Sequence, residues 1–327
     1  MFWLPSTKAI VASKKMNNQP NDDINLLTIS TYTPDNLMMT GLRIIYKERR
    51  LMRASLKTNQ RRFKNYFGST PYVCTLIWED LQTTEILEAR VEKKDINIEH
   101  FLMAMHFLKT YPKEYEREVA FDVSEKYGRE KTWMWVEKIR GLKAEKVVWA
   151  DYPGQTWVIT VDGAHFWINE PMTKSWKEAK KYYSHKFNKA GWAYELGISI
   201  SEDCLVWMNG PFPAGKNDTW IFQQGLKALL ISKNQKAIGD GVYSGHQEAV
   251  STWNAHDSKR VRKFKSRALK RHEKFNGHMK VFECLSNRFR SGKEKFAACF
   301  EAVAVICQYQ IENDKPMFDV LIEDILT

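Results

Sequence analysis

Three carboxylates stand out for the company they keep. Asp162 closes an alternating apolar run, Trp157 to Val161, and is followed by Gly163. Asp218 opens a stretch with helical periodicity. Glu273 is the single acid in a basic segment, KRVRKFKSRALKRHEKFNGHMK. The three lie 56 and 55 residues apart, so they share a task only if the fold gathers them. Gathered, they suit cleavage of a phosphodiester. Two divalent cations some ~4 Å apart activate the attacking oxygen and neutralise the leaving one. Mg²⁺ is a hard ion that keeps several waters, so three acids suffice. Each acid also has an ordinary role open to it. Asp218 can N-cap its helix, Glu273 can pair on the surface with Arg267 or Arg271, and Asp162-Gly163 and Asp240-Gly241 can be turns.

The chain has 327 residues, 43% of them hydrophobic, enough to bury a core and too many for a disordered chain. A formal net charge of +11 points to a polyanionic partner, nucleic acid ahead of a membrane surface. The five cysteines, Cys74, Cys204, Cys284, Cys299 and Cys307, form no CxxC pair. Their odd number argues against a disulfide framework or a cysteine zinc site and fits a reducing compartment. No apolar run approaches the ~20 residues of a membrane span, and the N-terminus does not read as a secretory signal.

The elements that must position the acids follow from periodicity. Residues 1–37 read as a flexible arm around NNQPNDD. Residues 38–150 read as a helical, DNA-binding region. It opens with a basic helix carrying Arg43, Lys47, Arg49, Arg50 and Arg53, continued by Arg61, Arg62 and Lys64. His106 falls on the apolar side of a later helix, a core position. A helix-turn-helix-like unit is expected between Lys113 and Lys143, with Gly128 as the turn. Its second helix would offer Arg129, Lys131, Thr132, Trp135 and Lys138 to DNA. Beyond residue 150 the period changes to alternation. Strands are expected over Thr156–Asp162, Gly191–Ile200, Cys204–Met208 and Lys236–Gly239, the third leaving by a turn at Asn209-Gly210-Pro211. TKSWKEAKKYYSHKFN reads as a basic loop over a substrate channel. Helices are expected from Asp218 to about Ile231, from about Asp257 to Phe289 and from Glu294 to Gln310. This is an α/β pattern with a mixed sheet.

From Trp157 to Tyr309 the chain resembles the DDE endonuclease domain of Harbinger-type (PIF/Harbinger) transposases. The blocks that carry the resemblance are VDGAH, GWAYELGISI, VWMNGPFPAGKNDTWIF, IGDGVYSG, RALKRHEKFNGHMK and AACFEAVAVICQYQ, in that order. It implies an RNase H-like fold over residues 151–327, a mixed sheet flanked by helices with the acids gathered at one edge. It implies Asp162, Asp218 and Glu273 as catalytic residues and metal ligands for Mg²⁺ or Mn²⁺, two ions in all, with His165, Asp240 and Tyr243 supporting the site and Lys216 a further candidate near the metals. Water and then a DNA 3′-hydroxyl would attack at transposon ends and target, and no protein nucleophile is needed. Lys259, Arg260, Arg262, Lys263, Lys270 and Arg271 would hold phosphate backbone around Glu273. A nuclear location, a Myb-like helper protein and a homo-oligomer are the corresponding expectations. Two features depart from the family: Ala164 stands where Thr is usual, and Asn276 separates Phe275 from Gly277. They motivate an alternative, a transposase-derived DNA-binding protein without catalytic activity. A nuclease acting on RNA is a third reading.

Overall fold

Helical periodicity dictates the first half. α1 (Pro34–Tyr46), α2 (Leu56–Phe67), α3 (Pro71–Glu88), α4 (Ile98–Thr110), α5 (Glu114–Phe121), α6 (Glu125–Gly141) and the single turn α7 (Lys143–Lys146) follow in sequence. The computed structural model describes residues 31–46, 53–88, 96–150, 152–171 and 175–320. The expected N-terminal arm up to residue 30, together with Lys47, Arg49 and Arg50, lies outside them. Local caps set the boundaries. The side chains of Ser55, Asn97 and Ser124 each accept a hydrogen bond from the first turn of α2, α4 and α6, satisfying N–H groups that have no partner inside the helix.

The helix pair expected between Lys113 and Lys143 is α5 and α6, but Gly128 is not its turn. The turn is Asp122 to Ser124, with Asp122 in the left-handed region at φ 52°. Ser124 caps the backbone N–H of Tyr127 and starts α6 four residues before Gly128. Gly128 is buried inside α6, where a β-carbon would press on Val123 and Arg117. Two of the expected DNA contacts are core residues. Thr132 is 0% exposed and Trp135 1%, and Trp135 stacks on Trp78 at 5.3 Å. α6 spends that face packing on α4 and on the last helix of the chain.

The second half contains β1 (Trp157–Trp167), α8 (Trp176–Lys180), β2 (Tyr183–Ser184), β3 (Lys189–Ser199), β4 (Leu205–Pro213), α9 (Asp218–Phe222) and α10 (Leu226–Ser232). β5 (Lys236–Ile238), a 3-10 turn (Gly241–Gly245), β6 (Val250–Ser251), α11 (Lys259–Lys280), α12 (Glu283–Ser286) and α13 (Lys293–Asn313) complete it. The sheet order is β2-β3-β1-β5-β6, with β4 also on β3. β1, β3 and β4 pair antiparallel, whereas β5 joins β1, and β6 joins β5, in parallel. The molecule is therefore α/β, with a mixed open sheet flanked by helices. Three local expectations change. β1 does not end at Asp162 but runs five residues further to Trp167, because Ala164 and Phe166 continue the buried face. β4 does not turn out at Asn209-Gly210-Pro211 but absorbs it with a register shift and reaches Pro213. The basic segment after Ser175 forms α8 and β2 rather than an open loop.

α13 explains how the halves join. Every residue from Phe296 to Ile311 is buried, as expected of a helix apolar on all sides. It lies between α3 and α6 on one side and β4 and α11 on the other. One hydrophobic core thus runs from Leu37 in α1 through α13 to Phe166 and Leu196 in the sheet. Thr31–Thr327 form one compact unit. The change of period near residue 150 marks a change of element type within that core.

Candidate functional site: the open edge of β1

Parallel pairing between β1 and β5 reaches Thr160, which registers with Ile238. Past that point the edge of β1 facing β5 carries no ladder, and Asp162 is the first polar residue there. α11 crosses this face and is pinned to it twice. Thr160 Oγ1 lies 2.9 Å from His272 Nδ1, and Asn276 Nδ2 donates to Asp162 Oδ2 at 3.2 Å. The other oxygen, Asp162 Oδ1, accepts from the backbone N–H of Gly163 at 2.9 Å. Burial pushes the Asp162 carboxyl up to about 6. Lys186 opposes the rise, and the neighbouring Asp218 and Asp240 carboxylates add to it.

Asp218 approaches Gly163 from the other face of the sheet. Asn217 is the N-cap of α9, its side chain accepting from Trp220 N at 2.8 Å. Asp218 is thereby spared the capping role, and its Oδ1 is buried with no hydrogen-bond partner. The expected helix to Ile231 is broken after Phe222 and restarts at Leu226, so α9 is a short platform that sets one carboxylate. Gly163 makes room for it. A β-carbon on Gly163 would stand 2.1 Å from Asp218 Oδ1. The glycine that reads as a turn signal is thus a through-space requirement. His165 stands two residues on, with Nε2 3.7 Å from Asp218 Oδ1 and Nδ1 2.9 Å from Ser184 Oγ.

Glu195 was not among the candidates read from sequence. β3 sets it directly opposite Gly163, and cross-strand partners share a face. It is 1% exposed, its Oε1 accepts from Trp207 Nε1 at 2.8 Å, and its Oε2 has no partner. Burial pushes its carboxyl up to about 8, with Trp207 pulling down and Asp218 pushing up. An acid inside the apolar run GWAYELGISI was the signal available. Tyr243 closes this side, its Oη buried and unpartnered. Its hydroxyl is held well above its ordinary value by burial, then by Glu195, Asp218, Asp162 and Asp240. Asp240 follows β5. It lies two residues past the last pair, Thr160 with Ile238, and its carboxylate is near enough to raise that of Asp162. It also caps the 3-10 turn, accepting from Val242 N at 3.1 Å.

Glu273 stands apart. It is exposed on α11, one turn before Asn276, and it is Asn276 that contacts Asp162. It shares an exposed stripe with Lys259, Lys263, Lys270 and Lys274. The basic run itself divides. Arg271, expected on DNA, is 2% exposed and donates to Phe318 O, Glu202 O and Asp203 Oδ1. It ties α11 to the chain around it and cannot reach a phosphate. Lys265 is likewise buried on Asp257 and Thr252 O. Arg267 donates to Asp319 O, so neither arginine pairs with Glu273. Elsewhere, Arg129 is exposed and paired with Glu114 at 2.7 Å, Lys131 lies over the Tyr127 ring, and Lys216 lies over Trp220.

Among the described residues, no group of three or more His, Cys, Asp or Glu is placed to hold a metal ion. Two features nevertheless fit a hard divalent cation. The donors are carboxylates, and Asp218 Oδ1 is buried and unpartnered beside Asp162. Mg²⁺ commonly takes one or two protein carboxylates and completes its shell with water and substrate phosphate. Compared with known proteins, the chain matches no family model, no curated protein and no solved structure.

Proposed function

We propose that the protein is a divalent-metal-dependent DNA phosphodiester-cleaving enzyme, a DDE transposase or endonuclease acting at transposon ends. The observation that carries this reading is the approach of Asp218 to Gly163, the residue after Asp162, with Asp218 and Asp240 both near enough to raise the Asp162 carboxyl. The mixed sheet with helices on both faces supports an RNase H-like assignment. Asp162 and Asp218 would hold the metal, Mg²⁺ or Mn²⁺, with Asp240 beside them; when bound, it polarises the phosphate and favours ionisation of an attacking water. Asn276 orients Asp162 through one oxygen. Ser184 orients His165, whose Nε2 then faces Asp218. Gly163 leaves room for the Asp218 carboxylate next to β1. The stripe Lys259, Lys263, Lys270 and Lys274 lies on the outer side of the same helix that touches Asp162, and would hold phosphate backbone. A nuclear location, a Myb-like helper and a homo-oligomer belong to this proposal.

The test is cleavage of DNA bearing candidate terminal repeats by the full chain with Mg²⁺ or Mn²⁺. Cutting is expected, and Asp162→Asn should remove it. No cutting of any DNA, or cutting that survives in the variant, contradicts the reading. A second reading is a transposase-derived DNA-binding protein that does not cut. The exposed, unpaired Glu273 and the methyl of Ala164 packed in the core favour it. Salt-sensitive DNA binding unaffected by EDTA, with no cleavage, would establish it. Preferential cutting of RNA would instead favour an RNA nuclease.

A further inference from the structure

A cavity of about 280 Å³ opens beside the acids, walled by the end of β1, the β2–β3 hairpin and the α11–α12 corner. His165 belongs to both places. Its Nδ1 meets Ser184 in the cavity wall, and its Nε2 faces Asp218. Two ammonium groups stand at the rim, Lys189 and Lys280. Phe166, Trp167 and Phe187 also line it, Phe166 from the core and the other two exposed. The Trp167 ring already has Lys189 Nζ at 4.1 Å and Arg288 Cζ at 5.6 Å from its centroid. Phe187 is 45% exposed, and its ring lies 5.9 Å from that of His165. Lys186 Nζ lies 5.8 Å from the Phe187 centroid, farther than Lys189 stands from Trp167, and Phe187 is slightly the more exposed of the two, Trp167 being at 39%.

A half-exposed aromatic ring, an imidazole and cations around a small cavity match a ligand that is planar, aromatic and anionic. Those are the properties of a nucleotide. A base inside a duplex is stacked on both sides and has no face to give, so the match is to an unpaired one. The lysines of the α11 stripe also lead along that helix to Lys280 at its end. We infer that this cavity receives the base of one unpaired nucleotide adjoining the phosphate at Asp162 and Asp218. Phe187 and His165 form the stacking wall, and Lys189 and Lys280 meet the flanking phosphates. The inference rests on the reading of the β1 edge as a nucleic-acid site, and adds that the strand is single where it enters.

The test needs no metal. The full chain, in EDTA, is titrated with a duplex carrying 2-aminopurine in a short single-stranded tail, and with a blunt duplex carrying it in a pair. Wild type should bind the tailed duplex roughly tenfold tighter, the scale of one base stacked on a ring, with quenching of the tail fluorophore. Phe187→Ala should lose both the preference and the quenching, and Phe187→Trp should keep them. Because Phe187 is half-exposed, its loss should leave the fold intact, which the melting curve checks. Equal affinity for the two duplexes, an unchanged Phe187→Ala variant, or equal quenching of free 2-aminopurine nucleotide would overturn the inference. Cleavage failing while the Phe187-dependent preference persists would count against the enzyme reading alone. Cleavage persisting with no preference would count against the cavity alone.

Discussion

α11 and the edge of β1 both bury charge, and they do it in opposite ways. On α11 each buried cation has an anion beside it: Lys265 has Asp257, and Arg271 has Asp203. At the β1 edge like charges crowd together. Asp218 and Asp240 both raise the Asp162 carboxyl, and Glu195 adds a buried oxygen with no partner. Opposite charges brought together under a helix serve the fold. Like charges brought together and half-buried, with neutral donors on Asp162 and only Lys186 opposing them, cost stability, and such arrangements cluster where chemistry is done.

Breaking the first kind should be destabilising. Arg271→Ala takes the guanidinium from two carbonyls and from Asp203, which keeps only the Met317 N–H, and should cost about 3–5 kcal/mol, read as a lowered urea midpoint. An unchanged midpoint would mean that α11 is held by apolar contacts alone. Breaking the second kind should stabilise. The Asp162 carboxyl is raised from 3.8 to about 6, so the fold favours its neutral form. This group's contribution is greatest below about 4, falls as pH rises to about 6, and stays lost above that. Asp162→Asn should therefore raise stability at pH 7.5 by up to about 3 kcal/mol, and the gain should vanish near pH 4. A variant less stable than wild type at pH 7.5 would contradict the crowding argument.

Gly163→Ala sharpens the comparison by pushing the carboxylates apart. Its β-carbon has nowhere to go but Asp218 Oδ1. Overpacking of this kind costs about 1–3 kcal/mol, and Mn²⁺ affinity should fall with it; calorimetry reads the affinity directly. On the exposed stripe, Lys263→Ala and Lys270→Ala should each flatten the dependence of log affinity on log salt for duplex DNA by about 0.9. Arg271→Ala should not change that slope. Smallest of all, Arg129→Ala removes an exposed ion pair with Glu114 and should change stability by less than about 1 kcal/mol.

The positions of β1, β3, β4 and β5 and of the long helices α11 and α13 are legible in the sequence, because alternation and helical period depend on near neighbours. What the sequence did not carry depends on distant ones. Gly163 reads as a turn after a strand, yet it is glycine because Asp218 presses on it from 55 residues away. Glu195 is invisible until β3 registers against β1 and sets it opposite that glycine. Arg271 belongs to a run that reads uniformly as a phosphate-binding surface. Only the positions of Asp203 and Phe318 decide that it turns inward. Gly128 lost the turn to Ser124 because a capping hydroxyl was available one helical turn earlier.

The most direct test of the central claim is a calorimetric titration with Mn²⁺ of wild type, Asp162→Asn and Asp218→Asn, at a pH above 6.5 where Asp162 is ionised. The account predicts one binding process in wild type, lost in both variants, because two residues from different elements serve one ion. Equal binding in all three proteins would contradict it, and would leave the β1 edge as a cluster of acids with no shared task.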